Sequence, residues 1–206
     1  MKRRGQRRPE TGEDMGWRRL ESQARLMAAM LAMSGGFLLA APTVNAQKTS
    51  HDDVQAAYLS NFGKFVRWPQ AIAGSPLEVC VAGRDGFRQA VAKLVAGEEI
   101  EGRRVVERDL ENPSSVEDCS ILFVGTGDRA RDDSFLGTAE GKPILTVGES
   151  ADFLVRGGVI QFVVVEDHVR FAVNLEAANR HRIVLSSELI KVAATVTGNP
   201  GTGGVR

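Results

Sequence analysis

The chain has 206 residues, 43% of them hydrophobic, and equal numbers of basic and acidic side chains. Eight Lys/Arg and four Asp/Glu lie in the first 46 residues, so the remaining 18 and 22 leave a charge of −4. Without a basic block, nucleic acid and anionic lipid are poor partners, and about 160 residues beyond the N-terminal stretch suffice for one self-sufficient domain.

Leu26 to Ala41 is uncharged, preceded by Arg18, Arg19 and Arg25 and followed by Val44-Asn45-Ala46. Sixteen apolar residues fall short of the ~20 needed to span a bilayer. A basic region, a short apolar run and a small-residue site specify a secretory signal peptide over 1–46, cut between Ala46 and Gln47. The polar stretch before Met15 is unusual in a leader, and Met15 is a candidate start. No cysteine follows the apolar run, so no lipid anchor attaches there. The expected product is an exported domain over 47–197 with a disordered tail, 198–206.

Asp52 to Trp68 reads as a helix, with Val54, Tyr58, Phe62, Phe65 and Val66 at three- and four-residue spacing, ended by Pro69. Leu77–Ala82 is a buried strand, and Asp85–Ala96 a helix. Strands follow at Arg103–Arg108, Cys119–Val124 and Ile144–Val147, with a polar helix over Asp128–Glu140 before the last of them. A short helix is expected over Ala151–Val155, stopped by Gly157-Gly158. Val159–Val165 and Val169–Val173 form a hairpin around Glu166-Asp167-His168, its second arm half solvated. Asn174 caps a helix to about Arg180, and Ser186 or Ser187 caps a last helix through Val196. Alternating strands and helices followed by a hairpin predict an α/β fold: one domain, a mixed β-sheet flanked by helices, and a C-terminal antiparallel hairpin.

Cys80 and Cys119 both lie in the exported part. An even count in an oxidising compartment favours one disulfide, the alternative being two buried thiols. No Cys-x-x-Cys occurs, which argues against dithiol redox chemistry.

Gly125-Thr126-Gly127-Asp128-Arg129-Ala130 matches a dinucleotide-binding turn. It does not follow the first strand, however, and it precedes a weak helix, so an ordinary strand-to-helix turn is the better reading. His51, His168 and His181 have no metal-ligand spacing, no G-x-S-x-G elbow is present, and Asp132-Asp133 and Glu98-Glu99 read as solvated charges. These residues point to neither an enzyme nor a cofactor.

AAYLSNFGKFVRWP, LEVCVAGRDGF, EGRRVVERDL, CSILFVG and GKPILTVGES, followed by RGGVIQFVVVEDHVRFAVNLEAANRHRIVLSSELIKVA, occur in this order. The set resembles the YfiR-like family over residues 52–197. The resemblance implies a periplasmic, non-enzymatic α/β protein. Such a protein binds the periplasmic sensory domain of an inner-membrane diguanylate cyclase and represses it, which lowers cyclic di-GMP and limits biofilm formation. Self-association and redox state are tied to this control in the family. Cys80 and Cys119 match one family disulfide. A second cysteine pair, near the Gly-Gly hairpin in some members, is missing here, which removes the basis for a switch built on it. An exposed apolar patch would mark the interface; Phe65 and Trp68 at the helix end are its candidates, the alternative being that Trp68-Pro69 packs as a helix stop. The competing class is a periplasmic small-molecule sensor, for which a concave, mostly apolar pocket would be needed.

Overall fold

A computed structural model describes residues 50–69 and 74–199. The expected leader, its Ala46/Gln47 cleavage site and most of the expected tail lie outside the described residues.

Helix α1 (His51–Phe62) opens on a capping box: Ser50 Oγ accepts from the Asp53 N–H, and the Asp53 carboxylate accepts from the Ser50 N–H. The expected helix over 52–68 stops earlier than its periodicity suggests. A 3₁₀ turn takes Gly63–Phe65, and Val66–Arg67 becomes strand β1. The reason lies far along the chain. Val66 and Arg67 pair antiparallel with Leu185 and Val184 of β9 (Val184–Leu185), and Phe65 C=O accepts from the Ser186 N–H at 2.8 Å. These ladder bonds compete successfully with one more helical turn.

Strand β2 (Leu77–Gly83), helix α2 (Asp85–Val95), hairpin strand β3 (Glu99–Ile100) and β4 (Arg103–Asp109) follow. A six-residue 3₁₀ segment, Pro113–Asp118, leads to β5 (Ile121–Gly125), helix α3 (Arg129–Ala139) and β6 (Leu145–Gly148). Cys119 ends the 3₁₀ segment instead of opening β5. The predicted helix at 151–155 is a run of hydrogen-bonded turns, closed by the Gly158 N–H on Phe153 C=O. Strands β7 (Ile160–Val165) and β8 (His168–Asn174) form the expected hairpin around Glu166 and Asp167, both at positive φ (49° and 61°).

Helix α4 (Leu175–Arg180) is capped by Asn174, and α5 (Ser187–Val192) by Ser186. The last helix does not reach Val196. It ends at Val192 because the Ala194 N–H bonds Phe171 C=O at 2.8 Å, and Thr195–Thr197 continues as strand β10 beside β8.

The main sheet runs β10-β8-β7-β6-β5-β2-β4-β3. Five neighbouring strands, β7, β6, β5, β2 and β4, are mutually parallel, as are β10 and β8, whereas the β7–β8 and β3–β4 pairs are antiparallel. The mixed α/β sheet is therefore as expected. Alternation divides its side chains between two cores. Leu77, Val79 and Val81 join Ile121 and Phe123 beneath α1 and α2, while Cys80, Ala82, Leu122 and Val124 face Phe135 and Leu136 of α3.

Two buried polar groups show how the chain closes on itself. Arg103 donates to Ser75 C=O, Pro76 C=O and Ser120 Oγ, so a buried guanidinium is satisfied by oxygens that carry no charge. His181 is buried, its Nδ1–H donating to Lys142 C=O at 3.0 Å. Burial pushes its pKa below the ordinary histidine value despite the Glu140 carboxylate 3.9 Å from Nε2. The unfolded chain therefore takes up a proton that the folded chain resists. Stability should fall as pH drops through about 6.5 and level off below the depressed folded value. Urea midpoints at pH 7.5 and 5.5 would show the loss, and His181→Gln should reduce the difference between them. Equal pH dependence in the two proteins would rule this assignment out.

Candidate functional site

The three- and four-residue spacing of α1 places Val54, Tyr58 and Phe62 along one side, while Ala56 and Leu59 go into the core. Tyr58 and Phe62 meet the sheet through Phe171, with ring centroids 5.5 and 5.2 Å away in edge-on geometry, and Phe162 lies 6.0 Å from Phe62. Such pairs stabilise the cluster beyond area burial alone. Leu189 and Val192 of α5 form the opposite wall. Between them lies an open, largely apolar groove of about 340 Å³. Val192 is 58% exposed, and Asn61 is a polar residue in the lining.

Phe65 belongs to this groove and is half-buried at its end. It also borders a second, charged cavity of about 660 Å³ with Lys64, Arg67, Glu101 and Glu188. An apolar floor beside a charged rim is the composition of a protein-docking surface. Trp68 lies elsewhere. Once Val66–Arg67 extends, the indole leaves the α1 face, packs against the core, and donates Nε1–H to Ser120 C=O at 3.2 Å. It borders a different cavity, with Arg103 and Cys119. The two candidate residues are thus not neighbours in one site.

Trp68→Phe should cost about 1 kcal/mol through the lost hydrogen bond, and Trp68→Ala about 3 kcal/mol, with no direct effect on a partner in the α1 groove. Thermal unfolding beside partner affinity would check this. Weaker binding by Trp68→Phe at unchanged melting temperature would return Trp68 to the interface.

Sequence reading missed Leu189, Val192 and Phe171 as groove residues. No local signal marked them, because Val192 was read inside a helix that continued to Val196, whereas the helix ends at Val192.

The other motifs resolve locally. At the Gly-Thr-Gly turn, Asp128 Oδ1 accepts from the Ala130 and Arg131 N–H groups at the start of α3. Asp132, expected to be solvated, is buried and accepts from the Thr126 hydroxyl at 2.6 Å. The chain's own carboxylates thus occupy the positions an anionic pyrophosphate would take. Asp133 pairs with Arg156 at 2.6 Å, and exposed His168 contacts Glu166 C=O. Among the described residues, no three His, Cys, Asp or Glu side chains gather as a metal site.

Cys80 and Cys119 are joined, with Cα atoms 5.8 Å apart. Arg108 Nη2 lies 3.7 and 3.6 Å from the two sulfurs and is itself held by Ser115 C=O, while its Nε pairs with Glu78.

The family model described as YfiR/HmsC-like matches residues 52–194. No curated protein matches the chain. Among solved structures, a conserved domain protein from Vibrio cholerae O1 biovar El Tor str. N16961 is similar at 10% identity and a TM-score of 0.47, over 72% of this chain and 60% of that one. The ABC domain in complex with L-Trp from Streptococcus pneumonia is similar at 10% identity and a TM-score of 0.47, over 71% and 60%. The chain thus spans three-fifths of the length of each of these structures.

Proposed function

The chain belongs to the YfiR/HmsC-like family, and on that premise we propose that it is a periplasmic, non-catalytic regulator that binds the sensory domain of an inner-membrane diguanylate cyclase and holds the enzyme inactive. The family match over residues 52–194 carries this reading. Two further observations support it. The disulfide suits an oxidising compartment. The α1–α5 groove offers an apolar surface of the kind that receives a partner's side chains.

In this reading residues 1–46 direct export and are removed, and 47–197 form the working domain. An apolar segment of the cyclase's periplasmic domain seats in the groove, with Phe65 at its end. Repression then follows from linkage. The cyclase domain exists in two arrangements, and the regulator binds the inactive one more tightly. Moving the population from mostly active to mostly inactive needs about 5.5 kcal/mol of differential affinity. Contact with several aromatic and aliphatic anchors can supply that much.

Deleting the gene should raise cellular cyclic di-GMP, and an exported copy should restore the lower level. A copy lacking residues 1–46 should fail to restore it. An unchanged level on deletion, with the cyclase expressed, would refute the proposal.

A further inference from the structure

Two arginines border cavities at opposite ends of the parallel strands, and their surroundings differ. Arg84 follows the carboxyl end of β2, beside a cavity of about 500 Å³. Its Nη1 donates to Asp52 Oδ1 at 2.9 Å, and Glu149 Oε2 lies 3.1 Å from its Nη2. That cation has its counter-charges. Arg103 opens β4, close to the amino ends of β2 and β5, and is only 9% exposed. It forms no ion pair among the described residues. Residues 70–73 (Gln-Ala-Ile-Ala) carry no carboxylate that could serve.

The uncharged oxygens that hold Arg103 account for two of its three nitrogens. Nε donates to Ser75 C=O at 3.0 Å, and Nη2 to Pro76 C=O at 2.7 Å and Ser120 Oγ at 3.3 Å. Nη1 has no hydrogen-bond partner among the described residues, and it is not one of the unpartnered polar atoms sealed from solvent. Its two N–H groups therefore face the cavity of about 360 Å³ that Arg103 borders. A cation this deeply buried is ordinarily paired, so the open nitrogen calls for an anion.

The rest of the lining defines that anion. Ser120 Oγ accepts from Nη2, which leaves its own proton to donate. A guanidinium edge beside a hydroxyl offers charge-assisted bonds to both oxygens of a carboxylate. Trp68, Pro76 and Pro143 supply apolar walls. Glu78 and Asp118 also border the cavity, but they pair with Arg108 at 3.0 and 3.4 Å, and Glu117 pairs with Lys142 at 3.3 Å. These three carboxylates do not neutralise Arg103, and they repel an anion that carries more than one charge.

We propose that this cavity binds a small monocarboxylate with a flat apolar body, its carboxylate on Arg103 Nη1 and Ser120 Oγ and its body against Trp68. The site shares no residue with the α1–α5 groove and goes beyond the regulator reading.

The test uses protein purified from the periplasm, with benzoate as probe and benzamide as the uncharged control of like shape. Trp68 is the one tryptophan outside the expected leader, so its fluorescence reports on the cavity, and calorimetry gives the stoichiometry. Benzoate should bind once per chain and change the Trp68 emission. Benzamide should bind about tenfold more weakly or less, the loss expected when a charged hydrogen-bond partner is removed. Arg103→Gln should abolish binding, with thermal unfolding to show that the variant is folded. Glu117→Gln/Asp118→Asn changes side chains that are 74% and 73% exposed, and so should leave the fold intact. Removing these like charges from the rim should tighten benzoate binding about twofold at low salt. The proposal is overturned if about 10 mM benzoate gives neither heat nor a change in emission, if benzamide binds as tightly, or if folded Arg103→Gln binds benzoate as the wild type does. Should Arg103→Gln not fold, the rim variant decides: unchanged or weaker benzoate binding overturns the proposal, and tighter binding supports it.

Discussion

Removing the disulfide by a Cys80→Ser/Cys119→Ser double substitution is expected to destabilise the domain by about 4 kcal/mol in the chain-entropy model. The bond spans a sequence separation of 39 residues, and that loop contains α2, β3 and β4. Cut open, the unfolded chain regains the freedom of the whole segment, while the folded sheet keeps its ladders. Both sulfurs are buried, so the serine hydroxyls would enter a largely apolar core and add to the loss. For a domain of this size the melting temperature should fall by roughly 8–16 °C. Arg108 should stay in place, because Glu78 lies 3.0 Å from its Nε. Thermal unfolding followed by circular dichroism, on the oxidised protein and the double variant, measures the difference. A fall of less than about 2 °C would mean that the cross-link does little for this fold. Repression in cells should weaken only in proportion to the unfolded fraction, because neither cysteine lines the α1–α5 groove.

The second large effect concerns function. Val192→Asp should abolish repression while leaving the fold intact. Val192 is 58% exposed and lines the groove beside Leu189 and Tyr58, so a carboxylate there is hydrated in the free protein. In the complex it would be buried without a partner, at a cost of about 2 kcal/mol or more, roughly thirtyfold in affinity. Cyclic di-GMP should rise to the level of the deletion strain. Leu94→Asp is the matched control: Leu94 on α2 is 44% exposed and does not line the groove. Repression should survive that change. If Val192→Asp represses normally and Leu94→Asp does not, the docking face is on α2 and not between α1 and α5.

How much of this was legible beforehand varied with the range of the forces involved. Apolar runs at 77–82 and 144–147, the Asn174 and Ser186 caps and the hairpin at 159–173 are local patterns, and each is in the fold within a residue or two. Two of the three errors at element ends share one cause. Val66–Arg67 left the helix for β9, Thr195–Thr197 left it for β8, and 151–157 became turns against its neighbours. In the first two cases backbone donors and acceptors found partners more than 20 residues away, which periodicity cannot register. Trp68 was separated from Phe65 by the same two-residue strand. Asp132 looked like a solvated charge because nothing in its neighbourhood in the chain announced that Thr126 would fold back onto it.

From the sequence alone came the exported character of the reading, the α/β class, the pair of cysteines and the family, because composition, alternation and ordered motifs are properties of the chain itself. Tertiary structure decided the rest. The groove draws on α1, β8 and α5, and the cavity around Arg84 on α1, the residues after β2 and β6, and β7. Their residues are scattered from 51 to 192, and only the sheet order and the register of its strands bring them within contact distance.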